Sequence, residues 1–393
     1  MNEFDSKDHD INQNHIFFEQ KKYLIYFNLL QFVIIGSLIS RNHVLQSWMG
    51  LDYEQFSIVM FIFSIGAIIS NLISSYLLTK FNNKYILIVS FILVSVSLIN
   101  FYTKPTYVYL CLLFTSISFS FSLNMVILFS QVAIFEKETK TNWISFYQSI
   151  SGIGVVIGVL CGLILNYFEI PINIHYPILG LFIFFNLIFI IKYPPLKNSK
   201  DKPKYILYFN SNLIYFGIIN FLLIASVSQI INWSGILLKD NYNTTNFIAT
   251  LGTLFFIIFE TTIRFYGDKI IKLIKYKNVL LYSSILTSLS LFLIYFINSI
   301  VLLIFLFLLV GLFSGIIQPV IIKLSSKIGE SIQYNMSFIF LFQSLGFFFG
   351  PIISGQIASN YTIYHIYLFS SIISFFIFLI SFTLIDFSKF DYT

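Results

Sequence analysis

FSIVMFIFSIGAIISNLISSYLLTKFNNKYILIVSFILVSVSLINFY, residues 56–102, holds two long apolar runs parted by a short gap that carries Lys80 and Lys84. Each run, Phe56 to Leu78 and Tyr85 to Tyr102, reaches the roughly 17 to 25 residues that an α-helix needs to cross about 30 Å of hydrocarbon. Lipid offers no partner to backbone N–H and C=O groups, so only helices or a closed barrel span it. Continuous apolar runs without period-two alternation choose helices.

The same pattern repeats along the whole chain. Further spans are Tyr23 to Ser40, Tyr107 to Phe135, Trp143 to Tyr167 and Tyr176 to Ile191. After a charged break come Asn212 to Ile231, Phe247 to Phe265, Val279 to Ile297, Ile300 to Ile322, Met336 to Ile357 and Tyr364 to Ile385. With 57% apolar and only 10% charged residues, there is too little polar surface to cover a water-soluble globule. The expected fold class is an all-α integral membrane protein with twelve transmembrane helices in two pseudo-symmetric six-helix bundles.

Charge assigns the sides. Twenty of the twenty-three Lys and Arg residues fall in alternate gaps, and only Arg41, Lys104 and Lys239 fall in the others. The positive-inside rule puts the lysine-rich gaps and both termini in the cytoplasm of a cell membrane, with a bacterial inner membrane as the expected location. The net charge of +6 is therefore spread over loops that orient the chain and meet anionic headgroups, which argues against nucleic acid as a partner. Cys111 and Cys161 lie in apolar runs without CxxC or metal-ligand spacing, so they read as packing residues. No secretory signal precedes the first span, and residues 1–22 read as a disordered cytoplasmic tail.

The longest charged connection, KYPPLKNSKDKPK (Lys192 to Lys204), divides the chain into halves. The expected organisation is a bundle over 23–191, a cytoplasmic linker over 192–211, a second bundle over 212–386 and a short tail over 387–393. Gly158 and Gly162 in the fifth span align with Gly346 and Gly350 in the eleventh, 188 residues on. Glycines four apart share a helix face and admit a close neighbour, so the recurrence points to duplication. A second landmark, YLLTKFNNKYIL (Tyr76 to Leu87) and IRFYGDKIIKLIKYK (Ile263 to Lys277), aligns Thr79 and Lys80 with Asp268 and Lys269.

These loops resemble those of the major facilitator superfamily, whose Gly-x-x-x-Asp-Arg/Lys-x-Gly-Arg/Lys-Arg/Lys pattern follows the second helix and recurs after the eighth. Ser75 and Thr79 stand where the first copy has Gly and Asp, while Arg264, Gly267, Asp268 and Lys269 keep the core of the second. GSLISR (Gly36 to Arg41), QVAIFE (Gln131 to Glu136) and NWSGILLKD (Asn232 to Asp240) resemble the fucose-permease-like and bypass-of-stop-codon-type branch. Members of that branch commonly carry Asp at the position of Asn232 and His at that of Tyr147, so two ionisable positions are absent. The resemblance implies a cavity lined by the first, fourth, seventh and tenth helices.

Polar residues on those helices are the candidate substrate contacts: Asn28, Gln31, Arg41, Asn124, Gln131, Gln229, Asn232, Trp233 and Gln318. For each amide the competing role is a hydrogen bond that ties two helices together. Arg41 reads either as a donor fork for a hydroxylated or anionic substrate or as a snorkelling end residue. Trp233 reads either as an interfacial belt residue or, with Asn232 and Ser234 beside it, as a contact for a sugar-like ligand. Glu260, the one acid within a predicted span, has Arg264 one turn on, which favours an ion pair over a proton relay. Asp268 is placed to meet the N-terminus of the eleventh helix. Gly267 and Lys269 complete the gating and coupling set.

No P-loop, GxSxG or HExxH is present, and GxGxxxG at Gly152 to Gly158 lies inside an apolar helix rather than a strand-loop-helix unit. Without converging His, Asp, Glu or Cys at membrane depth, the chain is not expected to be an enzyme, and no cofactor or metal is indicated. The expected function is secondary active or facilitative transport of a small hydrophilic, sugar-like molecule by alternating access. A coupled proton, and thus symport, is the candidate energy source, and a monomer is the expected state. Drug or metabolite export and a transport-inactive protein derived from a transporter are the alternatives.

Overall fold

The computed structural model describes residues 3–139, 143–192, 210–328, 332–385 and 387. The first half comprises α1 (Glu3–Ile39), α2 (Asn42–Met49), α3 (Tyr53–Lys80), α4 (Asn83–Ile99), α5 (Tyr107–Thr139), α6 (Ile144–Tyr167) and α7 (Ile172–Lys192). The second comprises α8 (Ser211–Tyr242), α9 (Asn246–Ile274), α10 (Tyr276–Ile294), α11 (Ile300–Ser314), α12 (Ile317–Ser326), α13 (Ile332–Asn360) and α14 (Ile363–Thr383). Twelve segments are long and apolar enough to cross a membrane, with α11 and α12 together forming one of them. Large apolar side chains such as Leu72, Phe185, Leu289 and Phe305 face outward, as a lipid-facing surface requires.

Two expectations change. The segment expected to be a disordered tail is helical from Glu3, running without interruption into the first span. The tenth span, expected as one helix from Ile300 to Ile322, is broken at Gly315. Pro319 has no N–H to give the Gly315 carbonyl four residues back, and that carbonyl instead accepts from Arg264 Nε at 3.3 Å. The same device recurs in α13, where Pro351 frees the Phe347 carbonyl to accept from Ser64 Oγ of the other half at 2.7 Å. Most of the 192–211 linker and of the C-terminal tail lies outside the described residues.

Both bundles share one packing plan. In the first half α1 packs on α6, α3 on α5 and α4 on α7; in the second α8 packs on α13, α9 on α11 and α10 on α14. The halves meet through α3 against α13 and α6 against α9, which a pseudo-twofold axis exchanges. The close approaches are made at glycine. A Cβ on Gly154 would lie 2.9 Å from the Leu29 carbonyl oxygen, and one on Gly346 would lie 2.7 Å from that of Phe221. The equivalent neighbours of Gly158 and Gly350 are the carbonyls of Val33 and Ala225.

This sets the register between the halves at 192 residues, not 188. The partners of Gly346 and Gly350 are therefore Gly154 and Gly158, one helical turn earlier than sequence alignment suggests. Because Gly154, Gly158 and Gly162 recur at four-residue spacing, a one-turn slip leaves the pattern unchanged. Only the packing partners distinguish the two registers.

Candidate functional site

Arg41, Lys104 and Lys239 mark one end of the bundle, here termed the charge-poor end. There the two halves are joined by side chains. Asn42 Nδ2 donates to Asn232 Oδ1 at 3.3 Å, Tyr53 OH to Asp240 Oδ2 at 2.6 Å, and Asn166 Nδ2 to Thr250 Oγ1 at 2.8 Å. Trp233 is 1% exposed and meets Tyr53 and Phe56 edge-on, with ring centroids 5.7 and 6.0 Å away. An interfacial belt role for Trp233 is thereby overturned, since its ring is enclosed by the opposite half.

The short helix α2 plugs this end. It begins at Asn42 and stops at Gly50, whose left-handed φ of 73° suits glycine. His43 lies against Gly235 of α8, where a Cβ would come within 2.9 Å of Nδ1. In the 192-residue register His43 and Gly235 are equivalent positions, and equivalent residues touch only at a twofold axis. Burial, reinforced by Lys239 and Arg41, holds the His43 imidazole at a pKa of about 3, so it is neutral.

Further along the interface, Ser64 reaches Phe347, and Asn71 Nδ2 donates to Ser344 Oγ at 3.0 Å. Asn71 is eighteen residues beyond Tyr53 on α3, about 27 Å at 1.5 Å per residue. Contact between halves thus runs through most of a bilayer's thickness.

Within the first half, a small cavity of about 10 Å³ between α1, α4 and α5, room for about one water, is lined by Gln31, Ile34, Phe91, Phe121 and Asn124, among others. Gln31 is 2% exposed, and neither its Oε1 nor its Nε2 has a partner. Asn124 Oδ1 accepts from Ser90 Oγ at 2.7 Å, which fixes the amide and leaves Nδ2 as its remaining donor. An unpaired buried amide is unfavourable by about 1–3 kcal/mol, so Gln31 is poised for a ligand carrying both an acceptor and a donor.

The other candidates have different surroundings. Asn28 Nδ2 donates to the Tyr147 carbonyl and to Ser151 Oγ, both at 2.9 Å, tying α1 to α6. Gln229 is fully engaged, donating to the Ala225 carbonyl at 2.8 Å and accepting from Ser354 Oγ at 2.6 Å. Gln131 is buried on α5. Arg41 is not on the cavity wall; it is buried under the start of α7, donating to the Ile170 carbonyl, and burial lowers its pKa.

Gln318 belongs to a chain of polar groups in the second half. Arg264 Nη2 sits 2.6 Å from Glu260 Oε1 and 3.3 Å from Gln318 Oε1, and Gln318 Nε2 donates to Gln343 Oε1 at 2.9 Å. The ion pair expected from the four-residue spacing is present, and Gln343 is a member that sequence reasoning missed. The next residue, Ser344, is the one that meets Asn71 of the other half. Gly267 is buried near Ile316, and Lys269 Nζ lies over the Tyr266 ring at 5.8 Å. The side chain of Asp268 lies outside the described residues.

Asn42, His43, Tyr53 and Asn71 were also absent from the expected set. Asn71, a lone amide within an apolar run, was the clearest available signal.

Comparison with known proteins agrees with this architecture. A family model described as Major Facilitator Superfamily matches residues 25–259 and 206–389. Two crystal structures of the nucleoside transporter NupG, one of them of a point mutant, are similar, each at 15% identity over 93% of this chain and 100% of that one. Their TM-scores are 0.76 for the point mutant and 0.75 for the other structure. No curated protein matches the chain.

Proposed function

The chain belongs to the major facilitator superfamily, and we propose that it carries a small hydrophilic molecule across the membrane by alternating access, as a secondary active or facilitative transporter. The observation that carries this reading is Gln31, an amide buried on the cavity wall with both polar atoms unpaired. Gln31 and Asn124 line one small space, which would widen as the halves rock to admit a neutral ligand that offers hydroxyl or amide groups, such as a sugar or a nucleoside.

The charge-poor end is read as external and closed, with both termini cytoplasmic in a bacterial inner membrane, and the working unit as a monomer. The latch Asn42–Asn232, Tyr53–Asp240 and Asn166–Thr250 would separate to open that side. Arg264, Gly267, Asp268 and Lys269 would gate the cytoplasmic side. Glu260, the one acid within a predicted span, is the candidate proton carrier; taking up a proton would release Arg264, which reaches through Gln318 to a helix that meets the other half.

Uptake of a panel of labelled sugars and nucleosides into proteoliposomes, with and without a proton gradient, tests the proposal. At least one compound is expected to accumulate, and Glu260→Gln is expected to abolish gradient-driven uptake while sparing exchange. Equal loss of both would remove Glu260 from coupling. No flux of any compound in either direction would defeat the transport reading.

A further inference from the structure

We propose that the buried cluster of Arg41, His175 and Tyr176, where the α1–α2 turn meets the start of α7, is a binding site for a free compact anion. Its occupancy would hold the charge-poor end closed. The site is separate from the Gln31 cavity, and its effect on closure rests on the latch of the transport reading given above.

The central observation is a buried cation without a counter-ion. Arg41 is 1% exposed, its Nη2 donates to the Ile170 carbonyl, and Nε and Nη1 have no partner. Among the described residues no carboxylate forms an ion pair with it, and Glu169, the acid nearest to Ile170 in sequence, is exposed. A guanidinium does not escape burial by losing its proton at ordinary pH. A buried charge left unpaired is strongly destabilising, so this position calls for negative charge from elsewhere.

Two neighbours complete a donor set. His175 and Tyr176 lie at the start of α7, buried, with ring centroids 5.2 Å apart. Tyr176 OH has no partner, and neither does His175 Nδ1. His175 Nε2 is 2.9 Å from Ser37 Oγ; if the Ser37 hydroxyl donates to it, the proton sits on Nδ1, which then becomes a donor. Arg41, His175 and Tyr176 thus offer N–H and O–H groups and no acidic oxygen. That set suits chloride, formate or phosphate and repels cations.

The placement supplies the consequence. Arg41 immediately precedes Asn42 and His43, which contact the opposite half. An anion bridging Arg41 to α7 would fix the root of α2 and with it the closed latch.

The test uses the full chain purified in detergent and depleted of lipid, held at constant ionic strength in gluconate, a larger anion than those titrated. Chloride, formate and phosphate are titrated separately while thermal unfolding is followed. The expected result is a saturable rise of a few degrees with at least one of them, absent in Arg41→Gln. Should Arg41→Gln fail to fold, the double variant His175→Ala with Tyr176→Phe is expected to raise the half-saturating anion concentration about tenfold, in keeping with lost hydrogen bonds to a charged group. An equal unfolding temperature in all four anions overturns the proposal, as does an undiminished rise in both variants. A rise produced by anionic lipid micelles and by no free anion also overturns it, assigning the site to a lipid headgroup.

Discussion

Helices α1 with α6 and α8 with α13 are the same structural unit twice, yet among the described residues only the first carries a buried amide with neither polar atom paired. Asn28 donates to the Tyr147 carbonyl and Asn220 to the Ile339 carbonyl, each bond spanning 119 residues of chain. Beyond that shared anchor the units diverge. Gln31 corresponds in register to Leu223, a buried core residue, while Gln229 corresponds to Ser37 and is closed off by Ser354. Duplication has kept the packing and let the polar chemistry differ. The first half presents Gln31 to a cavity with neither polar atom paired, whereas in the second half Gln229 is bonded at both its oxygen and its nitrogen.

The largest expected effect comes from testing the shared packing itself. A Cβ on Gly158 would sit 2.2 Å from the Val33 carbonyl oxygen, a backbone atom that cannot swing away. On Gly350, the equivalent position, the nearest atom is the Gln229 amide nitrogen at 2.8 Å, at the tip of a flexible side chain. Gly158→Ala is therefore expected to destabilise the fold by about 3 kcal/mol, the upper part of the range for overpacked sites, and Gly350→Ala by about 1 kcal/mol. Thermal unfolding of the two purified variants in the same detergent measures the difference. Equal losses would mean that the two interfaces tolerate strain alike, and the asymmetry would then be confined to the polar groups.

The next test exchanges the polar asymmetry. Gln31→Leu gives the first half the residue that the second half already has at position 223. Uptake is expected to fall at least tenfold, the effect of about 1.4 kcal/mol of lost binding. Stability is expected to hold or rise, because two unpaired buried polar atoms leave the protein. A variant that loses stability and uptake together would instead mark Gln31 as a structural bond donor.

Much of this was legible in the sequence because its causes are local. Span length and the gaps that carry lysine follow from composition, and Glu260 with Arg264 follows from the pitch of one helix. The Gln318–Pro319 step lay in plain view, but the break at Gly315 needed Arg264 from another helix to claim the freed carbonyl. The register was hidden for a related reason. Three glycines at equal spacing satisfy two alignments, and only the carbonyls opposite them select one. Likewise, α2 could not be foreseen as a plug, because Asn42 and His43 acquire their role from residues 190 and 192 positions away.

That plug supports the finest test, since the halves differ at the axis itself: α8 runs straight through Gly235, whereas α1 breaks before Arg41 and places His43 there. The groups acting on His43 are Lys239 on α8 and Arg41 before α2, both cations, and the Asn246 backbone on α9, which shares a hydrogen bond with it. Asp240, next to Lys239 in sequence, is bonded to Tyr53. The His43 pKa is lowered from the ordinary 6.5 to about 3 when the end is closed. Its contribution to the closed state is therefore complete above pH 6.5 and is lost as pH falls toward 3. If opening restores an ordinary pKa, acidification from about pH 8 to about pH 5 is expected to raise the open fraction roughly 30-fold. A cysteine replacing Ser57, which is buried against Gly355, reports opening by its labelling rate, measured in a background lacking Cys111 and Cys161 and normalised to an exposed cysteine at Ser359. His43→Gln is expected to flatten the dependence, since glutamine keeps polarity without titrating. An acid response that survives that substitution would place the proton on another group and leave His43 as packing for Gly235.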